Sequence, residues 1–235
     1  MKMRINKYLS LCGVASRRAS DEFIKEKRIS VNGQILENPG MEVDENDEIC
    51  VDGKPVYPPK RTKVLLFHKP PGCVCSVKDP QGRCTVYDYL PPGYHSLKYI
   101  GRLDLQSRGL LLFTDDGDLL YKLTHPKFEI PRSYLVWTTR QLTRSDATKI
   151  TKGIDLGDGE TGHAEAIYFE DGFVEMVLSE GKNREIRRML EAVGYEIRDL
   201  KRITYAGITL GDLAAGDFRE LTPAEEKKLR EACKK

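Results

Sequence analysis

The sequence predicts an α+β fold in two parts: a small unit of helices and a β-hairpin, then a larger unit with a mixed, largely antiparallel sheet. Three observations carry that prediction. Apolar residues recur at helical spacing near the N-terminus and give way to two-residue hairpin turns. From Lys63 onward short apolar runs alternate with single helices. Those runs lack the regular strand–helix–strand rhythm of a parallel sheet. The chain has 235 residues, 40% hydrophobic and 31% charged, a composition that supports a packed core in one large domain or two modest ones.

The first unit is expected over residues 1–58. Ile5, Tyr8, Leu9 and Cys12 fall at i, i+3, i+4 and i+7, one face of a helix that Gly13 ends. Ser16 is placed to cap a second helix, with Ala19, Phe23 and Ile24 facing inward. Ile29-Ser30-Val31 alternates as a strand, Asn32-Gly33 is a hairpin turn, and Asp52-Gly53 marks a second turn after Ile49-Cys50-Val51. The prolines at 58 and 59 begin a stiff linker over 59–62.

The second unit is expected over residues 63–235. Val64–Phe67 reads as a buried strand turned by Lys69-Pro70-Pro71-Gly72. Tyr99-Ile100 and Leu110–Thr114 read as strands flanking a loop from Gly101 to Gly109. Further strands are expected at Tyr134–Thr139 and Phe173–Leu178. A helix follows over Asn183–Val193, with Ile186, Met189, Leu190 and Val193 inward. Thr222 onward reads as a polar C-terminal helix with a Thr-Pro-Ala-Glu start and a solvated face.

Charge and cysteine usage bound the function. The net charge of +2 hides an asymmetry: residues 1–28 hold eight Lys/Arg against three acids, and residues 29–60 hold two against seven. The first stretch is a basic face suited to phosphates whatever the total. The N-terminus lacks an apolar signal core, and no run is long enough to span a bilayer. A cytoplasmic protein with no membrane association is therefore expected. The six cysteines form no CxxC pair and have no histidine at finger spacing, which fits reduced thiols. Cys73 and Cys75 read as neighbours on one face of a strand, as buried thiols rather than a metal pair.

Three stretches could carry chemistry. Gly101-Arg102-Leu103-Asp104-Leu105-Gln106-Ser107-Arg108-Gly109 places an acid between arginines in a loop bounded by strands, where reactive groups are held on a rigid scaffold. Alone, an aspartate beside serine and glycine reads equally as a turn former. Lys182, Arg184, Arg187 and Arg188 crowd the start of a predicted helix, with Arg184 and Arg188 expected on one face. That is a phosphate site or a solvated surface with an exposed Glu185–Arg188 pair. Tyr134 sits in a strand two residues after Arg132, where tyrosines are usually core.

Taken in order, these stretches resemble the RNA pseudouridine synthases, in the branch typified by ribosomal small-subunit pseudouridine synthase A and its large-subunit relatives. The similarity covers nearly the whole chain. Gly101-Arg102-Leu103-Asp104, Ser107, Gly109 and the run to Gly117 resemble the signature around that family's catalytic aspartate. Arg132-Ser133-Tyr134-Leu135-Val136 resembles its Lys-x-Tyr-x-Val element. Residues 180–189 resemble its third motif, and Leu210-Gly211 with Gly216 and Arg219 its closing segment. Arg4–Lys7, Gly13, Ser16-Arg17 and Val31-Asn32-Gly33 resemble the small RNA-binding domain of the S4 type. The departures are Lys27 where that module commonly has glycine, Arg132 for lysine, Ser107 for threonine, and Glu185 for glutamine.

The resemblance implies isomerisation of uridine to pseudouridine in ribosomal RNA, a reaction without net oxidation that needs no cofactor or metal. It implies Asp104 as the essential carboxylate, Arg187 as the group that pairs with and orients it, and Tyr134 packed against the extracted uracil. It places Arg102 beside the flipped nucleotide. Arg4, Lys7, Ser16, Arg17, Arg18, Lys25, Arg184 and Arg188 are the expected RNA contacts. The partner is ribosomal RNA or an assembly intermediate, approached by a monomer. Asp79-Pro80-Gln81-Gly82-Arg83 and Asn183–Arg187 read closer to the large-subunit enzymes, with the small subunit as the alternative. A non-catalytic RNA-binding assembly factor is the rival class, for which Asp104, Tyr134 and Arg187 would have no joint purpose.

Overall fold

A computed structural model describes residues 2–58, 62–157 and 159–234. It divides into two compact units: the residues up to Thr62 together with Asp115–Gly117, and Lys63–Thr114 together with the residues from Asp118 onward. Pro59, Lys60 and Arg61, most of the expected linker, lie outside the described residues.

The first unit is two helices on a small sheet. Helix α1 (Ile5–Leu11) buries Ile5, Tyr8 and Leu9. Helix α2 (Arg17–Lys25) starts where Ser16 Oγ accepts the Ala19 N–H at 3.2 Å, satisfying one of the donors a helix start leaves free. Its most buried positions are Ser20 and Ile24, with Ala19 and Phe23 half-buried. The inward face is thus turned slightly from the expected one, because the Ser20 hydroxyl is consumed by donating to Ser16 O at 3.0 Å. Strands β1 (Ile29–Val31), β2 (Gln34–Ile35), β3 (Ile49–Val51) and β4 (Lys54–Pro55) pair in the order β2-β1-β3-β4. Both turns, Asn32-Gly33 and Asp52-Gly53, carry positive φ at both central residues, which matches the right-handed twist of the strands they join. Ile5, Leu9, Ile24, Ile29 and Ile49 form the core. Lys27, which stands where the S4-type pattern has glycine, adopts φ 56°. The left-handed backbone explains the glycine, and a lysine there costs about 1 kcal/mol.

The second unit is built on a nine-stranded sheet. Its strands are β5 (Val64–Lys69), β6 (Lys98–Ile100), β7 (Arg108–Thr114), β8 (Arg132–Thr138), β9 (Ala166–Glu170), β10 (Phe173–Leu178), β11 (Ile197–Tyr205), β12 (Ile208–Thr209) and β13 (Phe218–Glu220). The main order is β9-β10-β8-β11-β7-β5-β13, with β12 on β11 and β6 on β7. Its ladders are antiparallel except β7 with β11, joined in parallel through Arg108–Lys201 and Gly109–Arg202. Strands β5 and β7 are apolar on both faces. Val64, Leu66, Leu110 and Leu112 enter one core, while Leu65, Phe67, Leu111 and Phe113 enter another. Burial on two sides is why they read as continuous runs rather than alternating ones. A third core packs Val136, Met176 and Leu200 of the sheet against Ile186, Met189 and Leu190 of helix α5 (Glu185–Ala192).

Several expected boundaries shift. The loop after Gly101 ends at Ser107, because Arg108 and Gly109 already pair with β11. Helices α3 (Gly117–Thr124) and α4 (Arg144–Lys152) were not anticipated; Asp-Asp-Gly reads locally as a turn, yet Leu119 and Leu123 pull the segment onto the core. Cys73 and Cys75 are not in a strand: Val74 forms only an isolated bridge to Thr85. Both thiols are pushed up by burial, and no metal-ligand cluster occurs among the described residues. The last helix, α6 (Pro223–Glu231), has its Thr222 capping box, but Leu229 and Cys233 are buried in the core, so it is amphipathic rather than merely solvated. No helix of the described residues is long and apolar enough to cross a membrane.

Candidate active site

The 101–107 loop leaves the sheet at an opening. One edge of β7 is shared: its end pairs with β6, Ile100 opposite Leu112, and its start pairs with β11. The loop bulges out between those two partners. Gly109 permits the close approach. At φ +109° a Cβ there would lie 2.2 Å from Arg202 O and 2.7 Å from Arg202 N, so the backbones of β7 and β11 touch where a side chain would stand.

A buried lysine pins the loop from below. Lys69, at the end of β5, is fully buried and donates to Ser107 O at 2.8 Å, Pro70 O at 3.0 Å and Leu105 O at 3.4 Å. Burial pushes its ammonium pKa down, and three carbonyls replace the lost water. The Gly72 N–H donates to Leu105 O at 2.8 Å. Within the loop, Ser107 N donates to Asp104 O at 3.1 Å. The Asp104 carboxylate is thereby presented on a rigid turn, 29% exposed.

Helix α5 supplies its counter-charge. Arg187 Nε lies 3.3 Å from Asp104 Oδ2, and Arg187 Nη2 donates to Ser107 Oγ at 3.1 Å. One guanidinium thus grips the acid and the loop that carries it. Arg184 Nη1 stands 3.8 Å from the same oxygen. Arg184 has φ 50° and is the N-cap of α5, not part of it, so it does not share a helical face with Arg188. Arg188 instead binds Glu160 at 2.6 Å and Leu156 O at 2.9 Å, bracing the 154–162 segment. The expected exposed Glu185–Arg188 pair is absent. Glu185 is buried: its Oε2 accepts the Lys182 N–H at 3.0 Å, its Oε1 has no partner, and burial pushes its carboxyl pKa up. A glutamine, the residue the family pattern has here, would carry no such charge.

Asp104 opens onto a cleft of about 820 Å³ lined by Arg102, Tyr134, Arg132, Arg202 and Tyr205 among others. Tyr134 lies opposite Met176 and Arg202, where the ladder shifts register, and it is half-buried. Arg102 is exposed. Arg132, Arg202 and Tyr205 form the floor, and of these the sequence singles out only Arg132. Arg132 donates to Glu180 O at 2.8 Å and to the Tyr205 hydroxyl at 3.3 Å. Arg202 donates to Leu110 O at 2.7 Å. Both guanidiniums lie 4.9 Å from the Tyr205 ring, a cation–π arrangement under a cleft richer in cations than in acids. Lys69 reads locally as the start of the Lys-Pro-Pro-Gly turn, and Arg202 as one of four charges between Arg198 and Arg202, so neither announces its burial.

The structure therefore brings Asp104, Arg187, Arg184, Arg102 and Tyr134 together around one cleft. In the first unit Arg4, Arg17 and Arg18 are exposed and have no ion-pair partner among the described residues, whereas Lys25 is held by Glu22 at 2.8 Å. Lys7 is half-buried, and Ser16 spends its acceptor on the helix cap.

Known proteins share this architecture. The sequence profile of the S4 domain matches residues 3–49, and that of RNA pseudouridylate synthase matches residues 63–192. Ribosomal large subunit pseudouridine synthase B of Bacillus subtilis is 38% identical over 239 residues, covering 97% of this chain and 95% of that protein. Its namesake from Escherichia coli K12 is 36% identical over 244 residues, covering 98% and 83%. A crystal structure of pseudouridylate synthase superposes with a TM-score of 0.70 at 28% identity, over 97% of this chain and 99% of that one. A carboxylate gripped by an arginine at the mouth of a cationic cleft, in a chain that begins with an S4 match, is thus no isolated arrangement: the chain belongs to the RNA pseudouridylate synthase family.

Proposed function

We propose that the chain converts a uridine of large-subunit ribosomal RNA to pseudouridine, with Asp104 as the catalytic carboxylate. The observation that carries the proposal is the Asp104–Arg187–Ser107 contact at the mouth of the cleft. The names of the two relatives above support the large subunit as target.

The reaction breaks the C1′–N1 glycosidic bond, turns the uracil and joins C1′ to C5. The proton lost from C5 balances the one gained at N1, so nothing is oxidised or reduced. The uridine must leave its stack to reach the cleft. Asp104 then attacks C1′ or removes the proton that leads to a glycal; both routes use the same carboxylate. Arg187 holds it in position, and Tyr134 on the cleft wall packs on the extracted base and assists the final deprotonation. Arg102, exposed at the lip, occupies the place the flipped nucleotide vacates or holds its phosphate. Action as a monomer is part of the same proposal.

Release of tritium from transcripts labelled at uridine C5 tests the reaction. Release is expected from the large-subunit transcript and not from the small-subunit one. Release from the small subunit alone overturns the assignment of target, and release from neither overturns the reading.

The S4 unit supplies phosphate affinity in the same proposal, through Arg4, Arg17 and Arg18. Changing all three to Ala is expected to weaken binding and to lower the slope of log K against log salt by about 2, at roughly 0.7 for each single-strand phosphate contact. An unchanged slope removes this face from the interface.

A further inference from the structure

Helix α3 turns Leu119 and Leu123 into the core and leaves Tyr121 and Lys122 exposed, as is His125 just past its end. Tyr121 is 47% exposed. Its ring centroid lies 4.9 Å from that of His125 and 5.9 Å from that of Phe128, and the His125 and Phe128 rings are 6.4 Å apart. The Lys127 ammonium lies 5.3 Å from the Tyr121 ring and 4.8 Å from the Phe128 ring. His125 Nδ1 accepts the Lys127 N–H at 3.3 Å, which puts the ring proton on the other nitrogen. Single exposed aromatic residues are ordinary on protein surfaces. Three rings in mutual contact, with a cation against two of them, form a local surface that is aromatic and positively charged. The cluster also adjoins the cleft, because Thr124 and Pro126, within the same short segment, line the wall of the cavity that holds Asp104.

We propose that Tyr121 and His125, with Lys127 beside them, form a stacking platform for an unpaired nucleotide next to the target uridine in the RNA chain. The chemistry favours RNA over a protein partner. Every base offers a π face to a tyrosine or histidine ring, and the backbone joining that base to the uridine brings a phosphate within reach of the Lys127 ammonium. A flipped uridine also leaves its neighbour without a stacking partner, and the platform supplies one. The inference rests on the assignment of the cleft as the uridine site, yet its test reads binding and does not depend on isomerisation.

Fluorescein-labelled single-stranded decauridylate is compared with the same RNA carrying abasic nucleotides on both sides of one central uridine. The full chain is titrated with both at one salt concentration. Wild type is expected to bind the abasic RNA about tenfold more weakly. In the variant combining Tyr121→Ala and His125→Ala that difference is expected to vanish, while Tyr121→Phe, which keeps the ring, retains it. An i,i+4 ring pair that only supports the helix would leave the abasic penalty unchanged in the double variant. That result, or the absence of a penalty in wild type, overturns the platform. Loss of tritium release with the penalty intact would instead count against the assignment of the reaction.

Discussion

Asp104→Asn is expected to lower pseudouridine formation by about 10³-fold or more while leaving RNA affinity nearly intact. The amide keeps the shape of the carboxylate and one acceptor oxygen for Arg187, so the grip that now runs from Arg187 Nε to Asp104 Oδ2 at 3.3 Å and from Nη2 to Ser107 Oγ at 3.1 Å survives in outline. What it loses is the charge that, in the proposed reaction, attacks or deprotonates the sugar. In the proposed reading affinity is held by cations elsewhere, and removing a negative group from a cationic cleft does not weaken attraction for RNA. Tritium release under single-turnover conditions and filter binding with the same transcript separate the two effects. A variant that forms pseudouridine at the wild-type rate would end the case for Asp104.

Gly109→Ala has the largest expected effect on the fold. The residue sits at φ +109°, and its Cβ would fall 2.2 Å from a backbone oxygen and 2.7 Å from a backbone nitrogen of Arg202. Neither atom belongs to a flexible side chain that could swing aside. The parallel ladder of β7 with β11 must separate, and it supports the Asp104 loop on one side and the buried Arg202 on the other. A destabilisation of about 4 kcal/mol is expected, which for a chain of this size lowers Tm by about 10 °C. Gly93→Ala, where nothing lies within 4 Å of the added carbon, is the control and should melt with the wild type. Equal melting of the Gly109 variant would mean that the two backbones are not this close.

The parts legible in the sequence were those set by local rules. Asn32-Gly33 and Asp52-Gly53 demand positive φ and turn where expected. Ser16 and Thr222 cap helices because their hydroxyls reach backbone donors three residues on. The apolar runs of β5 and β7 were readable because both faces are buried. Less legible was anything decided by partners distant in sequence. Arg184 and Arg188 have helical spacing, but Arg184 is left-handed and Arg188 is drawn away to Glu160. Lys69 reads as the start of the Lys-Pro-Pro-Gly turn; what it holds is visible only once Leu105 and Ser107 arrive from across the sheet. The cluster of Asp104, Tyr134 and Arg187 came from ordered motifs rather than from spacing, since no periodicity predicts that residues so far apart meet.

That separation also orders events in time. Asp104 and its arginine are 83 positions apart, and β7 gains its parallel neighbour only after residues 201 and 202 exist. At the usual pace of translation the loop is made on the order of 10 s before Arg187 is, and non-local strand pairing adds to the delay. The strand ladders of the S4 domain close within its own short stretch, such as Met3 with Val43, and form early. A nascent chain therefore acquires its grip on RNA well before its means of altering it.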